Sequence, residues 1–240
     1  MPNTTQENAL ARQAAQLLLI QYRQYISDTL LQTIGCAGDV EMQHYVKFYD
    51  DPAFRKILLT FDPAPPQGCR VSATTDRSGK PLIVTGADGT SVVSGTASHS
   101  VVYINRSCAS AGTVVHELLH AVSHMNWYMW SAFQKPSPNE GVTEWLTRKA
   151  LKHATAPVFQ NIDRSAAYQM DYQNFKTAKS QMKQDVNTIS DELKAAYFRG
   201  EIRPNLTMMV GMFQSASMLA TQGEALVAAA AFAGRGGRKR

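Results

Sequence analysis

Two histidines four residues apart inside an apolar run set the tightest constraint on this chain: Thr113-Val114-Val115-His116-Glu117-Leu118-Leu119-His120-Ala121-Val122. On an α-helix, positions i and i+4 stand one above the other on one face, so the two imidazoles project together. Val114, Val115, Leu118, Leu119 and Val122 supply the rest of the surface, which makes this a core helix. Both rings can then reach one zinc ion at about 2.0 to 2.1 Å. Glu117 lies one residue round, where a carboxylate can hold a metal-activated water and take its proton. The pattern is HExxH. With six histidines and eight glutamates in 240 positions, composition alone gives on the order of 0.005 such matches per chain.

A zinc site of this kind needs a third protein ligand and an open position. His124 continues the histidine stripe but lies a full turn too far along a rigid helix to close on the same ion, which leaves it a capping or supporting role. The metzincin pattern would place a histidine six residues after His120, where Asn126 stands. The segment Ser137-Pro138-Asn139-Glu140-Gly141-Val142-Thr143-Glu144-Trp145-Leu146 offers more. Ser137 or Asn139 can cap a helix whose first turn carries Glu140. Glu140 and Glu144 share a face, with Val142, Trp145 and Leu146 on the buried side. Two carboxylates on so apolar a helix are costly unless a cation meets them, and zinc with its histidines is such a cation.

HELLH followed by NEGVTEW resembles the gluzincin metallopeptidases, the clan of thermolysin and the aminopeptidase N-like enzymes. Asn139-Glu140-Gly141 is similar to the sequence that carries the glutamate ligand in the aminopeptidase N-like branch, with nineteen residues separating Glu140 from His120. The resemblance implies Glu140 as third ligand and Glu144, one turn on, as a group that hydrogen-bonds a zinc-binding histidine. It covers residues 100 to 150, with a looser likeness at Ala196-Tyr197-Phe198-Arg199-Gly200. No Gly-x-Met-Glu-Asn-like segment is present to grip a substrate amino terminus, so the implied activity is that of an endopeptidase. Gluzincins also place an edge strand upstream of the HExxH helix, where an extended peptide adds as a further strand. Ser100 to Asn105 is β-prone and is expected in that role, although an interior strand would fit the same residues. For an oxyanion donor the resemblance implies a downstream tyrosine or histidine. Tyr172 is the first choice and Tyr168 the second, ahead of Tyr197 and His153.

The remaining chain is read from periodicity and turn signals. Apolar spacing predicts one long helix over 7–34, ended by Gly35, and a short helix over 40–49. Asp50-Asp51-Pro52 opens a further helix through Leu59. Asp62 to Gly68, with three prolines, is the expected boundary. Segments Arg70 to Thr74, Pro81 to Thr85, Thr90 to Ser94 and Ser100 to Asn105 predict a small, mostly antiparallel sheet, and the pattern from Ala111 onward is helical. The expected fold class is therefore α+β: an N-terminal helical region over 1–61, a zinc metallopeptidase domain over 62–234, and a basic tail over 235–240.

The net charge is +5, but Arg235, Arg238, Lys239 and Arg240 contribute four of those charges, so the near-neutral body gives no reason to expect a nucleic-acid partner. The C-terminal apolar stretch Ala225 to Ala233 is nine residues long, half of what a bilayer span requires, and no membrane span is expected. The start lacks the basic and apolar regions of a signal peptide. Compact size, absent signal and basic tail resemble bacterial metallopeptidase effectors delivered by specialised secretion. Cys36, Cys69 and Cys108 form no CxxC and permit one disulfide with one thiol over. The expected function is a zinc-dependent endopeptidase acting on an extended peptide or protein, with Glu117 as general base. The alternative is a non-catalytic, zinc-stabilised module that docks such a peptide, a role with no use for Glu117.

Overall fold

The structure, a computed structural model, describes residues 2–26, 30–61, 73–76, 82–85, 91–94, 100–134, 137–162, 164, 169–182 and 186–215. The chain divides into two compact units, one of residues 1–123 with 145–165 and one of residues 124–144 with 166–240.

In the first unit, helix α1 (Thr5–Tyr22) starts at a capping box in which Thr4 and Glu7 satisfy each other's backbone amides. Its buried face is built from Ala11, Ala14, Ala15, Leu18 and Tyr22. The three alanines allow a close approach, and α2 (Leu30–Cys36) and α5 (Ala111–Val122) pack against it. The single helix expected over 7–34 is thus corrected to two helices that pack on each other, with a turn at 23–25. Ser-Asp-Thr at 27–29 is a run of cap-type residues that competes with an unbroken helix. Gly35 lies inside α2 rather than beyond it.

The helix expected over 40–49 is also corrected. One turn of helix, α3 (Asp39–Met42), is followed by the strand β1 (Val46–Tyr49). Val-Lys-Phe-Tyr has β-prone side chains, and four residues are too few to show a period. Helix α4 (Asp51–Phe61) begins at the expected Asp-Pro entry. The strands β2 (Ala73–Asp76), β3 (Leu82–Thr85), β4 (Ser91–Ser94) and β5 (Val101–Asn105) follow, with β3 and β4 paired as a separate two-stranded sheet.

β5 is interior. It runs parallel to β1, with Val46 opposite Val102 and Tyr49 opposite Asn105, and antiparallel to β2 on its other side. Every residue of β5 is buried. Val101 and Tyr103 pack with Phe54, Ile57 and Leu58 of α4, and α5 also packs on the strand. Such a strand reads as an unbroken apolar run because neither face meets water. The outer edge of β1 is engaged too: the Asn3 side chain accepts from the Phe48 amide at 2.9 Å and donates to the Val46 carbonyl at 2.8 Å.

These observations overturn the expected fold class. Among the described residues the chain is predominantly helical, with a small sheet in which β1 pairs parallel to β5 and β5 is interior, in place of the expected sheet with β5 at its edge. Strands of four or five residues are too short to organise the fold, so helices form most of the core among the described residues.

The first unit also holds residues 145–152 of α7 (Asn139–Lys152), tied to α1 by the Tyr22 hydroxyl, which donates to the Leu146 carbonyl at 2.6 Å. A 3-10 turn, Pro157–Phe159, follows. In the second unit α6 (Met125–Phe133), α8 (Gln169–Gln181), α9 (Val186–Arg199) and α10 (204–215) join the N-terminal turns of α7. Trp127 and Tyr197 are its largest fully buried side chains among the described residues, with ring centroids 5.6 Å apart. No helix among the described residues is long and apolar enough to cross a membrane. Cys36 is free and exposed. Cys69, Tyr168, the Ala225 to Ala233 stretch and the basic tail lie outside the described residues.

Candidate metal centre

Helix α5 begins at Ser110, whose hydroxyl accepts from the Thr113 amide, and ends at Ser123. Its twelve residues bury Val114, Val115, His116, Glu117, Leu118 and Leu119, so the histidine-bearing segment is core on nearly every side. His124 then caps α6: its Nδ1 accepts from the Asn126 amide at 3.1 Å, and its own amide donates to the Tyr197 carbonyl at 2.7 Å. This is the capping role expected for it.

The two histidines converge through the same ring atom. Nε2 of His116 and Nε2 of His120 are 3.1 Å apart, with the rings steeply inclined at 72°. Two ligands at about 2.05 Å from a tetrahedral zinc are separated by roughly 3.3 Å, so the pair already has close to the spacing that one ion imposes. His116 is fully buried, which fixes its ring by packing. Its other nitrogen, Nδ1, lies 3.4 Å from the Thr147 hydroxyl on α7. A partner at Nδ1 orients the ring and leaves Nε2 for metal. Thr147 is the site residue that sequence reading missed. A threonine in a helix carries no signal by itself, and its importance follows from lying seven residues, two turns, beyond Glu140 on the same face.

Glu140 sits in the first turn of α7. That turn is held by Ser137, whose hydroxyl accepts from the Asn139 amide, and by Asn139, whose side-chain oxygen accepts from the Trp127 indole at 2.9 Å. One donor atom from each of His116, His120 and Glu140 lies within 4.8 Å of the others, and this group could hold a metal ion. Two imidazoles and a carboxylate are the donor set of a zinc site with an open position. Glu117 is 4% exposed and Glu144 is completely buried. Both carboxylates are therefore inside the protein, where a nearby cation lowers the cost of their charge.

Tyr172 is half-buried on α8, with the Lys176 ammonium 5.6 Å from its ring centroid. Tyr197 is a core residue whose hydroxyl is 2.9 Å from that of Thr143, and His153 is exposed beyond the end of α7. The approach of α8 to α7 depends on Gly141: a Cβ there would stand 2.6 Å from the Asp171 carbonyl oxygen and 3.0 Å from the Phe175 Cβ. An Ala for Gly exchange in an open helix gains about 1 kcal/mol. Gly141→Ala is instead expected to destabilise by about 1 to 3 kcal/mol through overpacking, read as a lower denaturant midpoint with unchanged slope.

That same approach brings Asp171 into the field of Glu140. Burial, and then the negative charge of Glu140, hold the Asp171 carboxyl above its usual range. A pKa raised on folding means that the folded chain holds the proton more tightly than the unfolded one. Without metal, stability therefore falls as pH rises from the unfolded carboxylate value of about 3.9 through the folded value, and the whole cost is present above it. Asp171→Asn should melt higher than the parent at neutral pH in chelator-treated protein, with the gap closing below about pH 4. Equal melting temperatures at pH 7 would refute the cost of burying this charge beside Glu140.

Compared with protein-family models, with curated proteins and with solved structures, the chain matches none of them, so what the site does has to be read from its own atoms.

Proposed function

We propose that this chain is a zinc-dependent endopeptidase. The observation that carries the proposal is the convergence of the two Nε2 atoms at 3.1 Å with Glu140 in the same donor group. His116, His120 and Glu140 would hold the ion. When bound, zinc supplies a Lewis acid that polarises the scissile carbonyl and makes water a competent nucleophile near neutral pH. Glu117 takes a proton from the attacking water and returns it to the departing amine. Thr147 keeps the His116 ring in one orientation, and Glu144, buried on the same helix, is the proposed hydrogen-bond partner of a zinc-binding histidine. Tyr172 is the proposed donor to the oxygen that gains charge as the carbonyl is attacked. The peptide is not held by strand addition at β5, which already pairs on both sides.

The test joins elemental analysis of the purified protein to cleavage of a peptide library blocked at both ends. About one zinc per chain, with cleavage lost to a chelator and restored by zinc, supports the proposal. One zinc without cleavage under any condition would leave the non-catalytic, peptide-docking module as the function. Absence of metal after refolding with zinc would reject both.

A further inference from the structure

Of the nine exposed large apolar side chains among the described residues, four belong to the nine residues of α6: Met125, Tyr128, Met129 and Phe133. With exposed Ala132 they recur at i, i+3, i+4, i+7 and i+8, one unbroken stripe on the side of the helix away from buried Trp127 and Ser131. Phe133, 76% exposed, carries the most of it, with Met125 at 48% and Met129 at 47%. Exposed apolar residues scattered singly are ordinary, but a contiguous stripe marks a surface that something else covers. A helix with an apolar surface on both sides is usually buried, and α6 is buried on one side only.

We propose that the α6 stripe is a membrane-surface contact that lies shallowly in the headgroup region of an anionic bilayer. Residues 123–134 contain no Asp, Glu, Lys or Arg, so no formal charge has to leave water when the stripe enters the interface. The polar, charged rim that surrounds a typical protein–protein contact is missing from the helix for the same reason. Methionine, tyrosine and phenylalanine are side chains that the bilayer boundary accepts, and a lipid surface does not have to match their shape. The compact unit that holds α6 also includes the end of the chain, where Arg235, Arg238, Lys239 and Arg240 add four positive charges. That tail lies outside the described residues, and its charge follows from the sequence alone. One modest apolar contact holds a protein at a membrane only transiently; an apolar contact joined to a basic segment is the pairing that gives stable attachment to anionic lipid. A second copy of the chain fits the stripe less well. Nine residues of helix are only about 14 Å long, whereas a stable dimer takes about 800 Å² from each partner.

Cosedimentation of the full chain with sucrose-loaded vesicles tests this. Vesicles of phosphatidylcholine with about a third phosphatidylserine should bind the chain at least about tenfold more strongly than phosphatidylcholine alone, and about 0.5 M salt should remove most of that difference. Both side chains are exposed, so Met129→Glu combined with Phe133→Glu should melt as the parent does and bind the anionic vesicles at least about tenfold more weakly. Phe133→Ser brings in no charge and should weaken binding to neutral and anionic vesicles by one common factor, about threefold or more. Exchange of the four tail cations for glutamine should bring anionic binding down to the neutral level. Failure of the parent to bind anionic vesicles would overturn the proposal. Binding that the tail exchange abolishes and both α6 variants leave unchanged would overturn it too, because the tail would then act alone. A parent that sediments as a dimer without binding vesicles, beside monomeric α6 variants, would show that a second copy covers the stripe and no membrane does.

Discussion

Glu117→Gln is expected to leave about one zinc per chain while peptide turnover falls by about 10² or more, the usual scale for removing a general base. Glu117 lies beside His116 in sequence but is not among the three residues whose donor atoms cluster. Glutamine has nearly the same volume and keeps one acceptor oxygen, so a side chain only 4% exposed can be exchanged without opening a cavity. What the amide cannot do is take a proton near neutral pH. Metal content after dialysis against a weak chelator, measured beside turnover, separates the two roles. Full hydrolysis by Glu117→Gln would sink the peptidase mechanism and leave the peptide-docking module. Loss of zinc with loss of turnover would instead show that Glu117 supports the ion.

The site was more legible in the sequence than the fold around it. His116 and His120 follow from helical spacing alone, because i and i+4 on a buried helix have almost no freedom to diverge. Glu140 was reached by a resemblance and by the oddity of a carboxylate in an apolar segment, and it lies in the same donor group. Thr147 was not legible: its hydroxyl matters only because α5 and α7 cross where His116 presents Nδ1. Gly141 was legible as a letter of a pattern but not as a cause, which is the close approach of the Asp171 carbonyl of α8 to α7. The sheet was misjudged for a physical reason. Val46 to Tyr49 is too short to display a period, and without it β5 looks like an edge when it is the strand that β1 and β2 share. α5 stands close to where apolar spacing puts it and α4 where its Asp-Pro entry puts it; the exception, 7–34, breaks after Tyr22, just before a run of cap-type residues that apolar spacing does not weigh.

Glu140→Ala should change the sign of its effect with the metal. In zinc-loaded protein it removes one of three ligands, so zinc per chain should fall and the melting temperature should drop with it. An ion bound only to the folded state, at about 1,000 times its dissociation constant, stabilises by about 4 kcal/mol, which for a chain of this size corresponds to a shift on the order of 10 °C. In chelator-treated protein the same substitution removes a negative charge that raises the Asp171 carboxyl, so the variant should melt no lower than the parent and, near neutral pH, above it. A ligand whose charge is a liability without its ion and an asset with it gives this crossing of the two melting curves; a merely structural glutamate would be destabilising in both states. Thr147→Ala should keep the ion but weaken it about 10- to 100-fold, as losses of groups that orient a ligand do, and Glu144→Ala should behave alike. If Glu140→Ala keeps full zinc while His124→Ala or Glu144→Ala loses it, the third ligand lies elsewhere. A parallel drop in both states, with zinc retained, would mean that α7 needs Glu140 for folding alone, and the cluster of His116, His120 and Glu140 would no longer define a metal centre.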